Sequence, residues 1–266
     1  MTIRLGIIGW QLIKTFSPNI HQTLSEISNV DITYKKLPIE NFTLDIFESL
    51  NNDFDGYNVT IPHKEKIYNL SKDLKNVSPS LVVDNIKAVN TVKVDDNIVT
   101  LSNTDIDGIN QTFKFINFDI NDKYVLILGS GGSSKAIRYA LSSNSSSTHI
   151  ASRNVTEDTI SYNEAEDIGS EINFLINTTP IGMSHLNNLS LDLDVNKFTN
   201  LDLFLNIGYG NTGNFFKPLV DSVNSYNGIG MLICQAILSF NIWTNLNLQV
   251  LDIYDELYKL LESQND

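Results

Sequence analysis

Apolar residues along this chain fall into two patterns: short continuous runs, and repeats at helical spacing. Ile3 to Ile8 is a short apolar run and predicts a strand. Ser17-Pro18 then reads as an N-cap followed by proline at the first helical position. Ile32-Thr33-Tyr34 opens a second strand, and Phe42, Ile46, Phe47 and Leu50 recur at helical spacing. Gly56 to Ile61 predicts a third strand, stopped by Pro62. Thr91-Val92-Lys93-Val94 and Ile98-Val99-Thr100-Leu101 flank Asp95-Asp96-Asn97, which is the pattern of a hairpin.

A second series begins near residue 104. Ile106 to Phe115 predicts a helix. Tyr124-Val125-Leu126-Ile127-Leu128 is continuously apolar, as in a strand buried on both faces of a parallel sheet. A glycine-rich turn follows, then a helix from about Ser134 to Leu141. Ser142 to Ser147 is serine-rich and reads as a loop. Thr148 to Ala151, Phe174 to Ile176 and Leu203 to Leu205 are further strands. Strands alternating with helices argue for an α/β fold with a parallel sheet. Met231 to Trp243 is an apolar helix, and Val250, Ile253, Leu257, Leu260 and Leu261 form one stripe on a last helix. These C-terminal helices are expected to return to the first domain. Residues 1–103 and 231–266 then form a discontinuous substrate-binding domain, and residues 104–230 a dinucleotide-binding domain.

Composition narrows the function class. A chain of 266 residues accommodates two domains of unequal size, and 42% hydrophobic content suffices for their cores. Asp and Glu total 31 against 18 Lys and Arg, a net charge of -13. Phosphate backbones need clustered positive charge, so nucleic acid is disfavoured and the acidity reads as solubility. The lone cysteine, Cys234, cannot form an internal disulfide, and its apolar surroundings make it a buried thiol. The N-terminus is too short for a signal-peptide core, and no apolar run reaches the length of a membrane span. A cytoplasmic protein acting on a small molecule, as monomer or homodimer, is expected, without a membrane or a metal.

Four segments carry candidate chemistry. Gly129-Ser130-Gly131-Gly132-Ser133 follows a buried strand and opens a helix. Such glycines let the backbone approach a pyrophosphate seated on the helix N-terminus; a tight strand–helix turn is the plainer reading. At the end of the next strand stand Ser152-Arg153-Asn154, where arginine suits a 2′-phosphate or is simply exposed. Asn58-Val59-Thr60-Ile61-Pro62-His63-Lys64 sets two hydrogen-bonding side chains on one strand face, with an amine just beyond the strand. That set suits a hydroxylated anion, and the amine can serve as acid or base; alternatively Lys64 is solvated and His63 a turn residue. Asp105, after Asn103-Thr104, is a helix cap or the partner of Lys64. Gln235, on an otherwise apolar helix, is a core polar group or a ligand contact.

Taken in order, these segments resemble shikimate dehydrogenase across nearly the whole chain. The matching pieces are Ser17-Pro18, Asn58 to Lys64, Ala88-Val89-Asn90-Thr91, Asn103-Thr104-Asp105, Gly129 to Gly132, Asn177 to Met183 and Met231 to Ala236. The resemblance implies an N-terminal α/β substrate domain plus a Rossmann-like, doubly wound dinucleotide-binding domain. It implies an oxidoreductase that reduces 3-dehydroshikimate to shikimate with NADPH in aromatic amino acid (chorismate) biosynthesis. Lys64 and Asp105 would be its catalytic pair. Thr15 and Ser17 would bind the substrate carboxylate; Asn58, Thr60, Asn90 and Gln235 would bind ring hydroxyls or nearby groups. Gly129, Gly131, Gly132 and Ser133 would hold the pyrophosphate. Ser152, Arg153 and Asn154 would face the adenosine ribose and its phosphate, with Thr178 and Gly228 along the cofactor.

Some positions depart from the family pattern. The basic residue that usually follows the arginine is missing, and Glu157 stands nearby, which opposes a 2′-phosphate and admits NAD beside NADP. Leu205 and Ile207 stand where the family has tyrosine and proline, and Tyr209 is shifted. Trp10, Gln11 and Lys14 replace a Pro- and His-containing turn. The readings set against the main one are a quinate/shikimate dehydrogenase with NAD preference, a catalytically weak nucleotide-binding regulatory relative, and methylenetetrahydrofolate dehydrogenase, whose two-domain plan is similar.

Overall fold

A computed structural model describes residues 2–13, 15–142, 147–181, 190–208 and 214–263. Lys14, Tyr209, the Gly182-Met183 end of one matching segment and residues 143–146 of the serine-rich stretch lie outside the described residues. The chain divides into two compact units, Met1–Ile109 with Leu232–Gln264, and Asn110–Met231.

The first unit is built on a six-stranded mixed sheet. Its strands are β1 (Ile3–Gly9), β2 (Ile32–Pro38), β3 (Gly56–Val59), β4 (Val77–Pro79), β5 (Thr91–Asp95) and β6 (Ile98–Ser102), in the order β2-β1-β3-β5-β6-β4. β1 runs parallel to both β2 and β3, whereas β5 is antiparallel to β3 and β6. The β5–β6 hairpin turns on Asp96 and Asn97, both at positive φ, as a two-residue turn matched to strand twist requires. Helices α1 (Ser17–Ser28), α2 (Leu44–Asp53), α3 (Lys64–Ser71), α4 (Leu81–Ile86) and α5 (Asp105–Phe115) follow in chain order, α5 running past Ile109 into the second unit.

Three local expectations change. Helix α1 is capped by Phe16, so Ser17 is its first residue, not its N-cap. Phe16 already has helical backbone angles and gives no side-chain cap, and the Ser17 N–H goes instead to the Thr15 hydroxyl at 3.3 Å. Phe42 lies outside α2, whose N-cap is Thr43; the Phe42 and Phe47 rings meet edge-on at 6.4 Å across the cap, a hydrophobic staple. Strand β3 stops at Val59 rather than Ile61. Thr60 still donates its N–H to Ile8 O, but its carbonyl takes the His63 N–H and turns the chain through a cis Ile61–Pro62 bond. Thr60 therefore does not share a strand face with Asn58.

The second unit holds a fully parallel five-stranded sheet of β7 (Tyr124–Leu128), β8 (Ser147–Ala151), β9 (Phe174–Asn177), β10 (Leu203–Asn206) and β11 (Asn224–Asn227). The order β11-β10-β9-β7-β8 is that of a doubly wound fold whose winding reverses between β7 and β9. Its helices are α6 (Gly132–Leu141), α7 (Tyr162–Asp167) and α8 (Lys217–Ser222). The central strands are apolar and buried, as their unbroken hydrophobic runs require.

Helix α9 (Ile229–Thr244) begins in the second unit and continues into the first, where α10 (Val250–Glu262) ends the described chain. Within the first unit, Trp243 donates its indole N–H to Val92 O at 2.8 Å, fixing α9 to β5. Cys234 is buried on α9. Val250, Ile253, Leu257 and Leu261 are the buried stripe of α10, with Leu260 at its half-buried edge. Among the described residues, no helix is long and apolar enough to cross a membrane.

Candidate active site

The first unit places its chemistry where three chain turns meet. Lys64 is the first residue of α3, and its carbonyl accepts the Val89 N–H at 2.9 Å. Asp105 opens α5, its N–H held by Asn103 Oδ1 at 3.0 Å while Asn103 Nδ2 donates to Ala88 O. The Lys64 ammonium donates to Asp105 Oδ2 at 2.6 Å. Both are buried, Lys64 at 9% and Asp105 at 4% exposure. Desolvating two charges cancels much of their attraction, so such a pair adds little to stability and is better understood through its chemistry. Asn90 Nδ2 donates to the other carboxylate oxygen, Oδ1, at 2.9 Å. Gln235 Oε1 lies 3.5 Å from the same Nδ2. Gly108 makes that approach of α9 feasible: a Cβ there would stand 3.0 Å from Gln235 Cβ.

His63 is a structural neighbour of this pair. It is the N-cap residue of α3, buried, with Nε2 against Ile39 O and its ring 5.6 Å from Phe42. Burial lowers its pKa from the usual histidine value, so it stays neutral near pH 7. Thr15 and Ser17 bring their hydroxyls within 3.2 Å of each other at the start of α1. Thr60 is half-buried in the turn before Lys64. Asn58 turns inward: Oδ1 accepts from Tyr34 OH at 2.7 Å and faces His21 Nε2 at 3.2 Å, while Nδ2 donates to Ser239 Oγ at 3.1 Å and Asn90 O at 3.3 Å. Its amide is engaged by protein groups on both sides, which suits it to holding the strand and not to reaching outward.

In the second unit the strand-to-helix turn after β7 has the features of an anion cradle. Gly129 sits at φ +101°, open only to glycine, and a Cβ there would meet Thr178 Oγ1 at 2.7 Å. Thr178 closes the turn, giving its hydroxyl to Leu128 O at 2.7 Å. Gly131 differs. Its backbone is extended, and a Cβ would meet no atom of the described residues within 4 Å. Among the described residues nothing demands glycine there, so the position fits the close approach of a bound group. Gly131 caps α6, which begins at Gly132, two residues earlier than expected, with no side-chain cap and no acidic residue in its first turn. Those first-turn N–H groups, with Gly132 and Ser133 among them, suit a pyrophosphate.

The end of β8 lies beside this turn. Ser152 Oγ is 2.9 Å from Ser130 Oγ and accepts the Asn154 N–H at 3.3 Å. Arg153, Asn154 and Glu157 are exposed. Gly228 packs its α-carbon against the Ile207 backbone, which leaves no room for a side chain, so the unit's own packing already accounts for that glycine.

Residues 7–92 match the family model described as the shikimate dehydrogenase substrate binding domain. Over 261 residues the chain is 32% identical to a shikimate dehydrogenase (NADP(+)) of Staphylococcus aureus, covering 91% of this chain and 93% of that one. The chain belongs to the shikimate dehydrogenase family. The Staphylococcus haemolyticus shikimate dehydrogenase (NADP(+)) is 31% identical, over 97% of this chain and 99% of that one. Among solved structures, shikimate dehydrogenase 1 of Peptoclostridium difficile superposes with a TM-score of 0.81 at 29% identity, covering 96% and 98% of the two chains. A chorismate mutase/shikimate 5-dehydrogenase fusion protein of Clostridium acetobutylicum gives 0.85 at 27% identity, covering 99% and 98%.

The family motifs lead to Lys64, Asn90, Asp105 and Gln235 but not to the residues packed behind them. Ser239 hydrogen-bonds Asn58, Thr91 and Thr104. It lies four residues after Gln235, hence on the same face of α9, and that spacing was the available signal. His21 and Tyr34 stack at 4.5 Å behind Asn58. A histidine one turn after Ser17 on an amphipathic helix carries no comparable signal.

Proposed function

We propose that this chain catalyses the reversible reduction of 3-dehydroshikimate to shikimate with NADP(H). The carrying observation is the buried Lys64–Asp105 pair, its second carboxylate oxygen held by Asn90. The names of the relatives support the reaction and the cofactor.

In this reading the first unit binds the substrate and the second the dinucleotide. Thr15 and Ser17 take the substrate carboxylate, and Thr60 and Gln235 take ring hydroxyls, while Asn90, its amide engaged by protein groups like that of Asn58, holds the Asp105 carboxylate in place. Gly129, Gly131, Gly132 and Ser133 hold the pyrophosphate, with Ser152, Arg153 and Asn154 toward the ribose phosphate. The bound nicotinamide supplies or accepts the hydride. Lys64 gives a proton to the ketone oxygen as negative charge develops there, and takes it back in the reverse direction. Asp105 keeps the lysine aimed, its own charge facing the ammonium through Oδ2 while Oδ1 accepts from the Asn90 amide. Acid–base catalysis by one placed group is worth ~10²–10⁴-fold in rate.

The test is the absorbance of reduced nicotinamide with shikimate and either NADP or NAD. Reduction with NADP at a kcat/KM above that with NAD is expected. No reduction with either cofactor overturns the proposal; faster reduction with NAD overturns its cofactor half.

A further inference from the structure

The side chains behind Asn90 form a closed circuit. Asn90 Nδ2 donates to Thr104 Oγ1 at 2.9 Å. Thr104 Oγ1 and Ser239 Oγ are 3.0 Å apart, and Ser239 Oγ and Thr91 Oγ1 are 2.8 Å apart. Thr91 donates back to Asn90 Oδ1 at 2.9 Å. The Thr104 backbone N–H, which can only donate, reaches Asn90 Oδ1 at 2.7 Å and settles which side of the amide is oxygen. Each hydroxyl has one hydrogen. Thr104 accepts from Asn90 and Thr91 gives to it, so the direction that completes the circuit runs from Thr104 to Ser239 and from Ser239 to Thr91. Asn58 Nδ2 adds a further donor to Ser239 at 3.1 Å, and Gln235 O lies 2.9 Å from Ser239 Oγ as a second acceptor for its hydrogen.

The four members are buried, Thr91 and Ser239 completely. Water cannot readily replace a missing hydroxyl there, and a broken link leaves unpaired polar groups. The remaining hydrogen of Asn90 Nδ2 points to Asp105 Oδ1, so the circuit decides how firmly that donor is held.

We infer that Ser239 is a positioning residue: it closes a ring of directed hydrogen bonds through Thr91, Asn90 and Thr104, and so holds the Asn90 amide against the Asp105 carboxylate. The kinetic consequence rests on the assignment of Lys64–Asp105 as the proton-transfer pair. Cooperative rings act as a unit, so removing two members costs little more than removing one.

The experiment compares wild type, Ser239→Ala, Thr91→Val and the double variant as full-length chains. Hydrogen exchange of the Asn90 side-chain amide is followed by NMR without ligands, alongside steady-state kinetics and melting. Exchange faster by about tenfold in each single variant is expected, with kcat for shikimate oxidation down about tenfold and KM for shikimate within about threefold. The double variant should match the worse single variant. If Ser239→Ala does not fold, the near-isosteric Thr91→Val carries the same readouts. Unchanged Asn90 exchange, or losses that simply add in the double variant, overturns the ring. Absence of wild-type shikimate oxidation would strike the proposed function alone, and the amide exchange would still decide the ring.

Discussion

The two candidate binding regions are built on opposite plans. Around Lys64 and Asp105 nearly every polar group is buried and joined to another protein group, with Asn90, Asn58 and Ser239 linking β3, β5, α5 and α9. Around Gly131 the reverse holds: the α6 N-terminus lacks a side-chain cap, a Cβ would meet none of the described residues, and Arg153 is exposed. The first region is pre-organised, as the proposed proton transfer needs, because a donor must be aimed before charge develops. In the proposed reading, the second takes a ligand that brings its own charge. The comparison implies that substitutions in the first region damage rate, and those in the second damage cofactor affinity.

The strongest way to break this contrast is Lys64→Ala. Turnover is expected to fall by ~10²–10⁴-fold, with KM for shikimate changed only a few-fold. Turnover near wild type in steady-state assays would leave the first region without its central role. Next comes Gly129→Ala, where positive φ and the 2.7 Å approach to Thr178 Oγ1 both oppose a side chain. A loss of roughly 3 kcal/mol in urea unfolding is expected. A smaller loss would mean that the turn relaxes and is less rigid than the first region.

His21 tests how dry the first region is. Burial depresses its pKa to about 3, only partly offset by its hydrogen bond to Asn58. The unfolded chain binds a proton near pH 6.5 and the folded one does not, so this residue costs stability as pH falls from about 6.5 toward 3. Above that window its contribution is flat. At pH 5 the penalty is about 2 kcal/mol. Urea unfolding at pH 7 and pH 5 should show that difference, and His21→Phe should flatten it. A His21→Phe chain with the wild-type slope would show that other groups set it.

What the sequence conveyed follows the same division. The apolar run Tyr124 to Leu128 marked β7 to the residue, because a strand buried on both faces has no polar interruptions. The pairing of Lys64 with Asp105 was equally legible once their flanking motifs were in order. Short or polar elements were not. Val77–Pro79 is too brief to show a period, and Asn224–Asn227 is a polar edge strand held by its backbone ladder to β10. Thr60 was misplaced because the turn at Pro62 begins earlier than proline alone indicates. The ring around Ser239 joins residues 90 to 239 through tertiary packing, which no local pattern records.

Gly131→Ala separates cofactor affinity from stability. Since a Cβ meets no atom of the described residues within 4 Å, melting should be unchanged. Affinity for NADP, measured by titration, should fall about tenfold if a pyrophosphate lies against this backbone. Unchanged affinity with unchanged melting would remove Gly131 from the cradle.

The smallest effect concerns the choice between NADP and NAD. Glu157 is exposed, follows Arg153 by four residues, and opposes a 2′-phosphate. An exposed carboxylate acts through water, so its repulsion is worth only a few tenths of a kcal/mol up to about 1 kcal/mol. Glu157→Gln should therefore raise the NADP-to-NAD ratio of kcat/KM by about two- to threefold at low salt. The gain should vanish near ~1 M salt, where screening acts within about 3 Å. A gain that survives high salt would mean that Glu157 touches the cofactor directly, and the second region would then be more tightly built than its open first turn suggests.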